Sequence, residues 1–333
     1  MKKTKKAVSL LLCAAMVLAA AGCSSSGKPA SKDEVKKIGI IQLMPHNALD
    51  AANKGFVDGL AEAGYVDGEN ITIDQQNAQG DQSNCVTIAQ KLVNDGEDLI
   101  LAIATPAAQA AAGATSDIPI LVTAVTDPAS AGLVDSNEAP GGNVTGTSDL
   151  TPIKDQIELL KRIIPDAKTV AILYSSAEDN SRYQADIAKT EIEAAGMEWV
   201  EATASQAADV QSVVESLVGK VDVIYSPTDN LIAGAMATVS MIASQNNIPC
   251  IVGEEGMVEN GGLATYGLSY YNLGKLTAQQ AVKILEGEAK PADLPIGYLP
   301  KEDCALAVNE DTAAALGITI PQDVLDEIAA QNK

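Results

Sequence analysis

Short apolar runs alternate with helical stripes along most of this chain, and that alternation limits the folds open to it more than any other feature. The runs that read as strands are Lys37 to Leu43, Asn70 to Gln75, Leu99 to Ala104, Pro119 to Thr123, Thr169 to Tyr174, Met197 to Glu201, Val221 to Tyr225, Pro249 to Val252 and Leu263 to Gly267. Nearly all are apolar throughout, the pattern of strands covered by helices on both faces. Between them Leu49, Ala52, Phe56 and Leu60 recur at helical spacing, as do Ile153, Ile157, Leu160 and Ile164, and Leu273, Leu276, Gln280 and Ile284. Such stripes belong to helices that pack one face on a sheet. The whole pattern predicts an α/β protein with parallel sheets.

The strand, helix, strand, helix unit occurs twice, over residues 37–125 and 169–252. The two halves open alike, with Lys36-Lys37-Ile38-Gly39-Ile40 and with Ala167-Lys168-Thr169-Val170-Ala171-Ile172. Between them lies a turn-rich stretch, Pro140 to Ser148, and then a helix from Pro152, which reads as a crossover between two lobes. Two doubly wound sheets side by side direct the C-terminal ends of their strands, where such sheets bind ligands, toward a shared cleft.

The loops that follow the strands therefore carry the candidate site. In the first half they hold Gln42 and His46, then Thr105 and Ala107, then Thr126 and Asp127. Thr105 is placed to cap a helix whose first position suits Pro106, and the free amides of such a helix start attract a carboxylate. In the second half the loops hold Ser175, Glu178, Asn180 and Ser181, then Asp229, then Glu254. Any one of these residues has an ordinary role in caps and turns. As a set they are rich in hydroxyls and carboxylates, and Arg182 is their lone basic neighbour, so a phosphate or polyanion is disfavoured. A zwitterion fits, its carboxylate on hydroxyls and helix starts and its ammonium on Asp or Glu. Tyr174, Tyr225 and Tyr266 stand near strand ends as possible flat walls, in a chain with a single Phe and a single Trp.

The chain begins with four lysines among its first six residues, followed by an apolar run from Ala7 to Ala21. That is the layout of an export signal, and the run is shorter than the roughly 20 residues a membrane-spanning helix needs. Leu18-Ala19-Ala20-Ala21-Gly22-Cys23 resembles a bacterial lipobox, with Ala20 where that pattern usually has Leu. Residues 1–22 are thus expected to be a cleaved signal and Cys23 a lipidation site. Residues 23–35 would form a polar tether that holds a domain beside a membrane. Loss of residues 1–22 removes four Lys and no acid, taking the net charge from −22 to −26. So acidic a chain is a poor partner for nucleic acid.

Cys85, Cys250 and Cys304 are too few and too scattered to give a disulfide framework. His46 is the chain's one histidine, so no His/Cys metal spacing exists and neither metal nor cofactor is expected. An enzyme reading would pair Cys85 and Cys250 as acid and base across a cleft, as in a racemase. It suffers from Cys250 lying in what reads as a buried strand.

The motifs also resemble a known family. Ile38-Gly39-Ile40-Ile41-Gln42 with His46-Asn47-Ala48-Leu49-Asp50, Ala104-Thr105-Pro106-Ala107-Ala108-Gln109, Asn143-Val144-Thr145-Gly146-Thr147-Ser148-Asp149, Ser226-Pro227-Thr228-Asp229-Asn230 and Tyr270-Tyr271-Asn272-Leu273-Gly274 are similar to those of ABC-type substrate-binding proteins of the tryptophan/tyrosine transporter type. The resemblance spans residues 36–325. It implies a type I periplasmic-binding-protein fold: two Rossmann-like lobes, three hinge crossovers, a ligand in the interlobe cleft. Residues 36–150 with about 269–292 would form one lobe, and 151–268 with about 293–333 the other. Thr105, the amide of Ala107 and Thr126 would hold an α-carboxylate. Asp229, with Glu254 second, would meet the ammonium, and Ser175, Glu178, Asn180 and Ser181 would close over the ligand. The implied ligand is an aromatic amino acid, and the implied partners are an ABC permease and its ATPase at the outer face of the membrane. A sugar- or nucleoside-binding protein of the same fold and a ligand-sensing receptor subunit are the alternatives within the binding class.

Overall fold

The computed structural model describes residues 35–300 and 303–331. The expected signal, Cys23 and the tether up to residue 34 lie outside the described residues. From Lys36 onward the chain builds two sheets. The first holds β1 (Lys36–Gln42), β2 (Ile71–Asn77), β3 (Leu99–Ile103), β4 (Ile120–Val125) and β5 (Val144–Ser148), all parallel, in the order β2-β1-β3-β4-β5. The second holds β6 (Thr169–Ser175), β7 (Glu198–Ala204), β8 (Val223–Ser226), β9 (Cys250–Val252), β10 (Ala264–Leu268) and β11 (Cys304–Val308), in the order β11-β10-β9-β8-β6-β7. Only β11 runs antiparallel, on the edge beside β10.

Strand character follows burial. Every residue of Leu99-Ile100-Leu101-Ala102-Ile103 and of Ile120 to Val125 is buried, as expected of strands between two helical layers. Helices α1 (Asn47–Glu62), α2 (Gln82–Asp95) and α3 (Thr105–Ala114) follow the first three strands, and α4 (Ile153–Ile163), α5 (Asp179–Ala194), α6 (Ala207–Glu215), α7 (Asn230–Gln245) and α8 (Glu255–Glu259) serve the second sheet. The stripe Ile153, Ile157, Leu160 lies buried along α4, joined by Gln156, whose amide binds Tyr266 O at 2.8 Å and accepts the Tyr225 hydroxyl at 2.7 Å.

Two strands depart from the sequence-based expectation. Asn143 to Ser148 reads as turn, yet Val144–Ser148 is a buried strand. Its hydroxyls make this possible by pairing inside the protein: Thr147 Oγ1 with Thr123 Oγ1 at 3.1 Å and Thr277 Oγ1 at 2.8 Å, and Thr145 Oγ1 donating to Leu294 O at 2.7 Å. Gly146, at φ 142°, sits where a Cβ would overlap the Val122 backbone. The second is β11: Cys304 to Val308 is apolar throughout but is absent from the expected strands, and at the sheet edge only Leu306 of the five is buried.

The chain passes between the sheets three times: from β5 to α4, from β10 to α9 (Tyr270–Leu285), and between residue 297 and β11. Helix α9 crosses α1 on the first sheet at a distance set by glycine: a Cβ on Gly274 would strike the Ala52 carbonyl and one on Gly55 the Tyr271 carbonyl. Leu268, Tyr270 and Leu273 accordingly join the core of the first sheet. Residues 294–297 bond along β5, with Gly297 N to Gly146 O at 2.8 Å and Ser148 N to Gly297 O at 2.9 Å. The sequence-based division at about residue 293 gives this segment to the second lobe, but its hydrogen bonds are with the first sheet. The chain ends with α10 (Glu310–Ala315) and α11 (Gln322–Gln331), with Val324 of α11 buried in the core of the second sheet.

Candidate ligand-binding site

The C-terminal ends of both sheets face each other, and hydrogen bonds join them across the gap. His46 Nε2 lies 3.3 Å from Asn230 Oδ1, Asn47 Nδ2 donates to Glu259 Oε2 at 2.8 Å, Gln109 Nε2 to Asp179 Oδ2 at 2.8 Å, Gln82 Nε2 to Ala177 O at 3.1 Å, and Gln184 Nε2 to Thr126 Oγ1 at 3.1 Å. This is a closed cleft.

A small, partly open cavity lies inside it. The first sheet supplies His46, Ala48, Leu49, Ala124 and Asp149 to its wall, α9 supplies Tyr270, and the second sheet supplies Asn180, Thr228, Asp229, Asn230, Ala233 and Glu254. Three carboxyls are in that list and no Lys or Arg is. A fourth, Glu178, is buried next to it and accepts Asn230 Nδ2 at 2.5 Å.

Burial governs the electrostatics. It raises the Glu178 carboxyl to about 8, with the charge of Asp229 adding to the rise, and raises Glu254 to about 7. Asp229 and Asp149 are also raised by burial, although polar neighbours oppose it: Ser181 and backbone amides at Asp229, the Tyr270 hydroxyl and the nearby Thr126 hydroxyl at Asp149. Burial lowers His46, whose bond to Asn230 and proximity to Asp50 pull the other way. The imidazole is therefore a weak source of positive charge, and a cluster of acids stands without a cation.

Local structure explains how each expected residue is held. Asp229 caps α7 through Oδ1, accepting Ile232 N at 2.8 Å, while its Oδ2 accepts Ser175 N at 2.6 Å and ties the β6 and β8 loops together. Glu254 caps α8 by accepting Gly256 N at 2.5 Å. Asn180 lines the cavity, and Ser181 lies fully buried beside it. Thr126 is buried and bridged from across the cleft by Gln184.

Other expected residues fall differently. Thr105 does not cap α3: the helix starts one residue earlier, with Ala104 at the cap in a left-handed conformation, φ 82°, leaving Thr105 Oγ1 buried without a partner. Thr105 and Ala107 are buried but do not line the cavity. Gln42 is buried outside it and fixes the β1–α1 loop, donating to Met44 O at 2.9 Å and Asp50 Oδ1 at 2.7 Å and accepting Asn53 Nδ2 at 3.0 Å. Asp127 closes a turn by accepting Ser130 N at 2.7 Å and Asn137 Nδ2 at 2.9 Å. Tyr174, Tyr225 and Tyr266 do not reach the cavity.

The sequence-based list lacks Asp149, Tyr270, Thr228 and Asn230. Thr228 and Asn230 flank Asp229 in a loop already singled out, so their position after β8 was the available signal. Asp149 follows a strand whose composition hides it. Cys85 and Cys250 do not meet across the cleft: they lie in α2 and β9, in separate cores, with thiols pushed up by burial to about 11 and about 12.

Two lobes closing over a lined cavity is the geometry of a solute receptor, and comparison with known proteins agrees. Residues 37–332 match the family model described as ABC transporter substrate binding protein. The chain belongs to this family. A protein of Clostridioides difficile called tyrosine-binding protein is 45% identical, with 95% of this chain and 93% of that protein covered. A structure from Streptococcus pneumoniae in complex with L-Trp is 42% identical and superposes with a TM-score of 0.85, covering 88% of this chain and 98% of that one. A ligand-free, open substrate-binding protein from Clostridium difficile is 49% identical, yet its TM-score is 0.67, over 87% of this chain and 97% of that one. Membership implies an extracytoplasmic location and the binding of a small solute for an ABC transporter. Among the described residues no helix is long and apolar enough to cross a membrane.

Proposed function

We propose that this substrate-binding protein captures an aromatic amino acid by lobe closure, delivers it to an ABC permease and its ATPase, and is held at the membrane by a lipid on Cys23. The observation that carries the ligand class is the interlobe cavity whose wall holds Asp149, Asp229 and Glu254 and no basic side chain. Acids buried without counter-charge are costly, and an ammonium group supplies that charge. One relative 45% identical is named for tyrosine and a structure 42% identical holds L-Trp, which supports an aromatic side chain on the ligand. Likeness to the L-Trp complex exceeds likeness to the open, ligand-free relative, although the open relative is the more similar in sequence, which supports reading the arrangement here as the ligand-holding one.

Calorimetric titration with L-Trp, L-Tyr, L-Phe, glucose, ribose and adenosine tests the ligand class. Binding of one or more aromatic amino acids is expected; binding of a sugar or nucleoside with none of the amino acids would overturn it. For the anchor, mass analysis of the exported protein should find a diacylglyceryl group on Cys23, and an unmodified N-terminus would remove it.

A further inference from the structure

The four buried acids around the cavity are not equivalent. Asp229 already accepts two backbone amides, from Ile232 and Ser175, and Glu254 accepts one from Gly256. Glu178 is engaged by Asn230 and stands behind the cavity wall. Asp149 differs: it lines the cavity, is 4% exposed, and uses Oδ2 to accept the Tyr270 hydroxyl at 2.7 Å while its Oδ1 is buried with no hydrogen-bond partner. An acceptor left open in a buried site costs stability unless something fills it.

The donor it lacks must arrive with the ligand. Resting on the aromatic amino-acid reading above, we propose that Asp149 receives the ligand's α-ammonium and that Tyr270, by holding Oδ2, is the positioning residue that keeps Oδ1 aimed into the cavity. Asn180 Oδ1 and His46 Nδ1, likewise buried and unpartnered in the cavity wall, stand ready for further polar atoms of the ligand. Asp229, the residue the sequence favours for the ammonium, instead serves to hold the two loops of its own wall together. The site should therefore discriminate sharply between an amino acid and its des-amino analogue, and Asp149 should be the source of that discrimination.

The test pairs a variant with a ligand lacking the group it binds. In the full chain, affinities for L-Trp and 3-indolepropionic acid, and for L-Tyr and 3-(4-hydroxyphenyl)propionic acid, are measured for wild type and Asp149→Asn. Wild type should prefer the amino acid by about a hundredfold, the scale for a buried charged hydrogen bond, and Asp149→Asn should lose about that factor for the amino acid and little for the analogue. An unchanged preference in Asp149→Asn overturns the assignment. If Asp149→Asn does not fold by circular dichroism, Tyr270→Phe decides: it should weaken the amino acid several-fold and spare the analogue, and equal weakening of both would assign Tyr270 to general packing and sink the proposal. Wild type that binds neither amino acid, whatever else it binds, refutes the aromatic amino-acid reading itself and this assignment with it.

Discussion

On the second-sheet wall of the cleft the acids close hydrogen bonds within that wall: Asp229 to Ser175 and Ile232, Glu254 to Gly256, Glu178 to Asn230. Thr228 and Gln184 are paired there too, with Thr228 Oγ1 donating to Gln184 Oε1 at 2.7 Å. The first-sheet wall is built otherwise. His46 Nδ1, Thr105 Oγ1 and Asp149 Oδ1 are buried without partners, and Ala104 and Ala124 sit in left-handed conformations that favour glycine. The second wall keeps two unpartnered atoms of its own, Asn180 Oδ1 and Ser226 Oγ, but its acids are all paired, whereas the first wall holds an acid with an open acceptor and the strained backbone. Such a division suits a receptor in which the first sheet reads the ligand and the second closes over it.

That contrast can be broken by mutation, and the largest effect should fall on the wall whose acids are paired. Asp229→Ala removes a helix cap and the acceptor of the Ser175 amide, and should cost about 2–4 kcal/mol of folding stability in chemical denaturation. Asp149→Asn keeps an acceptor for Tyr270 and should cost under about 1 kcal/mol, its effect appearing in ligand affinity. The reverse ranking would dissolve the distinction between the walls.

A smaller effect concerns protons. In the closed cleft Glu178 lies at about 8 and Glu254 at about 7, both above the ordinary 4.5, so closure without ligand takes up protons. That contribution to closure is complete below about pH 4.5 and is lost as pH climbs through 7 and 8. His46, lowered from 6.5, acts in the opposite sense at more acid pH, so the informative window lies above that value. Between about pH 6.5 and 8.5 the ligand-free radius of gyration should grow, and Glu178→Gln should flatten the change. A radius independent of pH in both proteins would count against closure that buries these acids. Asp149, Asp229 and Tyr270 face the same space, and burial raises both aspartates too, with hydrogen bonds opposing the rise.

The smallest effect belongs to the rim. Gln109→Ala deletes the bridge to Asp179 and should weaken ligand binding by roughly two- to tenfold, the worth of one net hydrogen bond. Its preference for amino acid over des-amino analogue should stay as in wild type. A changed preference would mean that the rim also reads the ligand.

Much of this was legible in the chain. Continuous apolar runs such as Leu99 to Ile103 mark buried parallel strands because helices cover both faces, and the post-strand loops did lead to His46, Asn180, Asp229 and Glu254. What escaped was written in polar residues that tertiary structure satisfies. Val144-Thr145-Gly146-Thr147-Ser148 has the composition of a turn and becomes a strand through hydroxyl pairs with Thr123, Thr277 and Leu294 O, contacts 24, 130 and 149 residues away. With β5 hidden, Asp149 at its end had no reason to stand out. Thr105 was misread as a cap because nothing local predicts that Ala104 adopts a positive φ.

Small-angle scattering of the full chain with and without a saturating aromatic amino acid tests lobe closure most directly. The radius of gyration should contract on adding L-Trp or L-Tyr, and the bound profile should fit the closed arrangement of the two lobes. A profile unchanged by a ligand that calorimetry shows to bind would contradict it.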